Sequence, residues 1–192
     1  MPAITKPSPR ERLLDAATEL FYAEGVQSVG IDRVIAHAGV AKASLYSAFG
    51  SKEGLVRAYL DRRHEVVIND LRRAAAEVED PVERLLAVFD AQAARFPRSD
   101  YRGCAFVAAS AEASSEGEIA EATARYRTEV RGLFAELASE AGIADPERLA
   151  DQLRLIYDGG SVAANLDHNP EIASSARAAA RILIEAAPRV AA

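Results

Sequence analysis

Cysteine occurs once in the 192 residues, at Cys104, so an intrachain disulfide is excluded and a reducing compartment is the default. No apolar run approaches the roughly 20 residues of a membrane-spanning helix. The opening MPAITKPSPR lacks the apolar core of a secretory leader. The chain therefore reads as cytoplasmic, with no membrane partner. Strand-like alternation is absent, and the eight prolines fall in tails, connections or first helical turns. His37, His64 and His168 are scattered, without His-Glu or Cys-His ligand spacing, so no metal site is expected. No glycine loop offers a phosphate cradle, and Asp158-Gly159-Gly160-Ser161 sits in a helical context rather than at a strand-to-helix elbow. Nothing calls for a cofactor, and an enzyme finds little support. Lysine is scarce too: Lys6, Lys42 and Lys52 all lie near the N-terminus.

What is present favours helix. The apolar fraction is 49%, rich in alanine and poor in β-branched residues. The length permits one domain or two small ones. The net charge of −6 divides unevenly: the first 75 residues hold 11 Lys+Arg against 9 Asp+Glu, leaving 12 against 20 of the totals 23 and 29 for the remainder. An acidic body with a mildly basic head is compatible with local phosphate binding, and equally with a solvated mixed-charge surface.

The most informative stretch is GIDRVIAHAGVAKASLYSAFGSK, Gly30 to Lys52. Ile31, Val34, Ile35 and Ala38 follow helical spacing, Gly39 supplies the turn that ends such a helix, and a second helix runs from about Lys42 to Phe49. This is a helix-turn-helix whose second member is sized for the major groove. Before it, residues 1–7 form a polar tail, and Ser8-Pro9-Arg10-Glu11 is a capping box opening a helix that Gly25 ends. After it, Ser51 caps a long helix from Lys52 to about Val78, roughly 40 Å at ~1.5 Å per residue. Asp80-Pro81 opens a helix reaching Phe96-Pro97, and Gly103 to about Ser114 is a helix of small residues. Gly117 to Ala141 is another, and Asp145-Pro146 and Asn169-Pro170 start the last two. About nine helices and no strands are expected, an all-α fold.

These residues resemble the tetracycline-repressor (TetR) family of bacterial transcriptional regulators. The resemblance covers about residues 9–65 and rests on Leu13-x-x-Ala-x-x-Leu-Phe21, Gly25, Ile35-Ala36 with Ala38-Gly39-Val40, Leu45-Tyr46-x-x-Phe49, and Ser51-Lys52-Glu53 with Leu55. It implies an all-α homodimer with a helix-turn-helix head at 8–52, a connecting helix at 53–79 and a ligand-binding and dimerisation domain at 80–192. Gly30 and Ala41 depart from the family, which often has Thr or Ser there, so two side-chain caps are missing; Ser28 is a candidate substitute at the first. Ser47-Ala48 stand where a large polar residue or His is common.

DNA affinity comes mostly from cations and N–H groups on phosphates, and sequence is read at base edges. Lys42, Lys52 and the outward Tyr46 are the phosphate candidates, with Ser28 and Gly30 beside them; the resemblance implies the same role for Lys52. Against these stand a solvated surface lysine or a half-buried supporting ring. Arg33 is either a further phosphate contact or half of an ion pair with Asp32 or another carboxylate. Ala43, Ser44 and Ser47 share the exposed face and would meet base edges. Their few donors imply modest direct readout, with shape and phosphates contributing more.

In the body, Phe89, Phe96, Tyr101, Phe106, Tyr126, Phe134 and Tyr157 are core residues by default, and as a group would line an apolar pocket. Cys104 reads as a small buried hydrophobe. The family's last two helices form a four-helix dimer interface, which here implies Leu153, Ile156, Gly160, Ile172, Ala176, Ala179, Ile182 and Leu183. Gly159-Gly160 inside a helix implies a close crossing or a kink. The expected function is a ligand-responsive, sequence-specific regulator, a repressor released from a palindromic double-stranded operator by a small-molecule effector of unknown identity. The alternatives are a helical small-molecule carrier and a non-specific architectural DNA-binding protein.

Overall fold

In the computed structural model, which describes residues 7–190, local signals in the sequence start most helices where they act. The tail read at residues 1–7 lies, apart from Pro7, outside the described residues. Nine helices occur among the described residues, with no strand: α1 (Pro9–Glu24), α2 (Ile31–Ala38), α3 (Lys42–Phe49), α4 (Lys52–Ala76), α5 (Pro81–Ala93), α6 (Ala105–Glu112), α7 (Glu118–Glu140), α8 (Pro146–Asp167) and α9 (Ile172–Ala186).

Ser8 Oγ accepts from Glu11 N at 3.2 Å while Ser8 N donates back to Glu11 Oε2 at 2.7 Å, so two of the orphan N–H groups at the start of α1 are satisfied reciprocally. Asp80 and Asp145 cap α5 and α8 ahead of a first-turn proline. Several ends differ from expectation, among them α6, which spans Ala105–Glu112 rather than starting at Gly103. α5 stops at Ala93, because Arg95 and Phe96 bond back only three residues in tighter turns. Asn169 does not cap α9 directly. Its side chain accepts from Glu171 N at 2.9 Å, which closes a turn first, and the helix begins at Ile172.

Contacts group the chain into two compact units, one containing residues up to Arg63 with Ala105–Thr123, the other His64–Cys104 with the residues from Ala124 onward. Ala105–Thr123, read from sequence as part of the 80–192 domain, thus shares contacts with the helix-turn-helix. In the first unit α1 packs on α2 and α3 around Leu13, Ala17, Leu20, Phe21, Val29, Val34 and Leu45, all buried. Burying one such leucine is worth about 1.5–3 kcal/mol. In the second unit α5, α8 and α9 pack together over Leu85, Leu86, Phe89, Leu153, Tyr157, Ala180 and Ile184. Arg177 and Arg181 of α9 both donate to Glu83 of α5, at 2.9 and 2.6 Å, and these bonds hold the Glu83 carboxyl below the usual carboxylate range. Gly160 fits the expected close crossing: a Cβ there would sit 3.4 Å from Ala176 Cβ and 3.5 Å from Gln92 Oε1.

Candidate nucleic-acid interface

The turn between α2 and α3 is set by Gly39, whose backbone is left-handed at φ 61° and ψ 44°, a conformation glycine takes at little cost. Arg12 of α1 closes it by donating from Nη2 to Gly39 O at 2.8 Å. On α3 Leu45 is wholly buried and Phe49 partly so, which fixes the rotation of the helix and turns Tyr46 outward, 47% exposed. Ala43 and Ser47 are exposed on the same helix and Ser44 is half-buried. Neither Gly30 nor Ala41 makes a side-chain cap bond, so the first-turn N–H groups of both helices lack the usual side-chain acceptor.

The basic candidates are all engaged. Lys42 Nζ donates to Asp32 Oδ1 at 2.9 Å across the turn, and that bond raises its pKa. Both side chains are exposed, so the pair adds little to stability. Arg33 is gripped by both carboxylate oxygens of Glu24, which likewise raises its pKa. The ion-pair partner of Arg33 is Glu24 rather than Asp32. Lys52 lies at the start of α4 with Nζ 3.4 Å from Gln27 O. Ser51 Oγ accepts from Gly54 N at 3.1 Å, so Ser51 caps that helix as its sequence indicates. Ser28 and Gly30 are exposed on the α1–α2 connection.

Three contributors were not legible as site residues. Arg10 stacks over the Phe49 ring, 5.1 Å from its centroid, a cation beside α3. Arg12 holds the Gly39 turn. Glu112, the last residue of α6, accepts from Gln27 N at 2.7 Å, so Glu112 and Lys52 together clasp the backbone N–H and C=O of Gln27. Glu112 also explains Gly25, because a Cβ there would lie 2.5 Å from Glu112 Oε1 and the backbone has φ +91°. Gly25 ends α1 as its sequence indicates, its N–H donating to Phe21 O.

This geometry is shared with known proteins. The model of bacterial regulatory proteins of the tetR family matches residues 13–59. The crystal structure of a TetR-family transcriptional regulator from Streptomyces coelicolor superposes with a TM-score of 0.87 at 30% identity, covering 92% of this chain and 94% of that one. The chain belongs to the TetR family. It is a transcriptional regulator with a DNA-binding helix-turn-helix. An uncharacterized HTH-type transcriptional regulator of Mycobacterium tuberculosis is 37% identical over 76 residues, 40% of this chain and 38% of the relative. The HTH-type transcriptional activator FasR of Mycolicibacterium smegmatis is 37% identical over 82 residues, 43% and 37% of the two chains. The match thus spans well under half the length of these curated relatives.

The TetR body disposes its expected residues unevenly. Phe89, Phe134 and Tyr157 pack ring against ring, with centroids 5.5, 6.0 and 6.3 Å apart, and all three are buried. Tyr126 and Tyr157 are buried and hydrogen-bonded to each other; desolvation pushes the Tyr126 hydroxyl well up and the Tyr157 hydroxyl to about 12. Phe96 and Tyr101 border a cavity. Phe106, on α6, belongs to the other unit. Of the expected dimer residues, Leu153, Gly160 and Ala176 are buried within the unit, and Ile156, Ile172 and Leu183 partly so. Within the chain Leu153 is wholly covered and Gly160 meets Ala176 and Gln92. Ala179 and Ile182 are exposed. No helix of the described residues is long and apolar enough to cross a membrane.

Proposed function

We propose that this TetR-family regulator is ligand-responsive and acts as a homodimer that represses from a palindromic operator until a small molecule releases it. Residues 8–52 serve as the DNA-binding head, 53–79 as the connecting helix, and 80–192 as the ligand-binding and dimerisation region. The observation that carries the DNA-binding surface is the outward side of α3, where Tyr46 is exposed opposite buried Leu45. Lys42 stands at the first turn of that helix, and Lys52 begins the next. Lys42 exchanges Asp32 for a phosphate, and Lys52 adds its charge to the N–H groups at the start of α4. Tyr46 donates its hydroxyl to the backbone, while Ala43, Ser44 and Ser47 approach base edges. Arg33, held by Glu24, orders α2 on α1.

The dimer reading is supported by two apolar stripes. On α8, Leu155, Gly159, Val162 and Leu166 are exposed at helical spacing, and on α9 Ser175, Ala179, Ile182 and Ala186 repeat that spacing. Leu155, Leu166 and Ile182 are 65, 70 and 67% exposed, more than isolated surface leucines require. A second copy of the same two helices covers both stripes in an isologous contact and sets the two α3 helices about 34 Å apart or somewhat more. The ligand acts by population shift, favouring a dimer whose heads are off operator spacing. Operator and ligand then weaken each other by the same factor.

A gel-retardation titration with the DNA flanking the protein's own gene, at several salt concentrations and with scrambled competitor, tests the reading. Specific retardation with a steep salt dependence is expected. Retardation indifferent to sequence supports the architectural reading instead, and absence of retardation supports the carrier reading.

A further inference from the structure

We propose that Arg12 is a positioning residue for sequence recognition, fixing the direction in which α3 leaves the Gly39 turn without itself touching DNA. This rests on the reading above of α3 as the helix that meets base edges. The chain turns towards α3 through the planar peptide that joins Gly39 to Val40, and the two polar groups of that peptide are held from different places. Val40 N donates back to Ile35 O at 3.3 Å, a bond local to the end of α2. Gly39 O accepts from Arg12 Nη2 at 2.8 Å, across 27 residues. The peptide plane is thereby set against α1 as well as α2.

α3 has few anchors of its own. It is eight residues long, with no side-chain cap at Ala41, and Leu45 is its one wholly buried side chain. α2, by contrast, is tied to α1 by Arg33 on Glu24 and by His37 on Glu19. The far end of α3 is met from the same part of α1, where the Arg10 guanidinium lies 5.1 Å from the Phe49 ring centroid. Arg10 and Arg12 stand near the N-terminal end of α1, the end at which a helix dipole opposes a cation, so their charge does not serve that helix. Gly39 has a second reason to be glycine: a Cβ there would stand 2.8 Å from Arg12 Nη2 and would displace the guanidinium from the carbonyl. The Arg12 bond is exposed. Its loss leaves the fold in place but lets α3 take more than one direction, and specific affinity falls with the fraction of molecules in the competent one. Phosphate contacts carry no sequence information, so non-specific binding tolerates that spread.

The test is a fluorescence-anisotropy titration of two duplexes, the DNA flanking the protein's own gene and a scrambled version of it, over a range of salt. The proteins are the full-length wild type, Arg12→Ala, Gly39→Asn and the double variant, each checked for folding by thermal melt. Asparagine tolerates the left-handed backbone yet carries the Cβ that displaces Arg12, so Gly39→Asn decides the question if Arg12→Ala does not fold. Arg12→Ala is expected to lower the flanking-to-scrambled affinity ratio by about tenfold, the effect of one hydrogen bond to a charged group, with the salt slope unchanged. Gly39→Asn is expected to lower the ratio likewise, and the double variant no further than either alone. An unchanged ratio in the folded single variants overturns the proposal, as do additive losses in the double variant. Equal weakening on both duplexes, with the slope lowered by about 1.8, also overturns it, since that marks a direct phosphate contact from each protomer. A wild type that does not distinguish the duplexes overturns the reading of α3 as a base-contacting helix and this inference with it, whereas a wild-type preference that survives both substitutions overturns the role of Arg12 alone.

Discussion

Gln27 is held on both sides, its N–H by Glu112 and its carbonyl by Lys52, and its neighbours Ser28 and Gly30 are DNA candidates. Glu112→Ala frees that N–H and is expected to cost about 1 kcal/mol of stability. Faster hydrogen exchange at the Gln27 amide is its direct signature, and unchanged exchange would show that the contact carries no weight. Gly25→Ala meets a stricter limit, since φ 91° and ψ 155° form a region almost reserved for glycine. A loss of about 1–3 kcal/mol is expected in urea unfolding; a neutral result would show that the turn relaxes. Individual site residues were legible where rotation is dictated by burial: Leu45 and Phe49 turn inward, so Tyr46 turns outward. Their partners were not legible. Glu24 for Arg33 and Asp32 for Lys42 depend on how consecutive helices cross, and Glu112 for Gln27 on a contact 85 residues away.

Helix starts were the most legible elements, because Ser8, Asp80 and Asp145 act on N–H groups two or three residues away and need no tertiary context. The end of α5 and the start of α9 depend on turn bonds that compete with the helix, and the sequence missed them by a few residues. The faces of α8 and α9 were the least legible, since small residues occur on both sides of each and periodicity cannot choose between them. The structure chooses: Gly160 and Ala176 face each other, and Leu155, Leu166 and Ile182 face out. Ile182→Glu is accordingly expected to shift the protein towards monomer in sedimentation velocity, whereas an unchanged dimer would move the interface elsewhere. Gly132 is exposed within α7 with nothing within 4 Å of a would-be Cβ. Gly132→Ala is expected to stabilise by about 0.5–1 kcal/mol, read as a rise in the urea midpoint.

At the scale of the whole molecule, stability and DNA binding respond to different charges. The buried Tyr126 and Tyr157 hydroxyls have raised pKa values in the folded chain, while an unfolded chain releases those protons near the ordinary value of about 10. Their contribution is whole below that pH and is lost as pH rises towards about 12 for Tyr157, because the unfolded state then binds fewer protons. Thermal midpoints should fall more steeply above pH 10 for the wild type than for Tyr157→Phe. Equal slopes would remove the pair from the account.

The central claim is that α3 and the start of α4 grip phosphates through Lys42 and Lys52, and its most direct test is the salt dependence of operator binding for the wild type and for Lys42→Ala and Lys52→Ala. Each substitution is expected to weaken binding on every DNA sequence and, because the dimer carries each lysine twice, to lower the slope of log K against log salt by about 1.8, one phosphate's worth per protomer. A slope left unchanged by both would contradict the assignment of this face as the DNA interface.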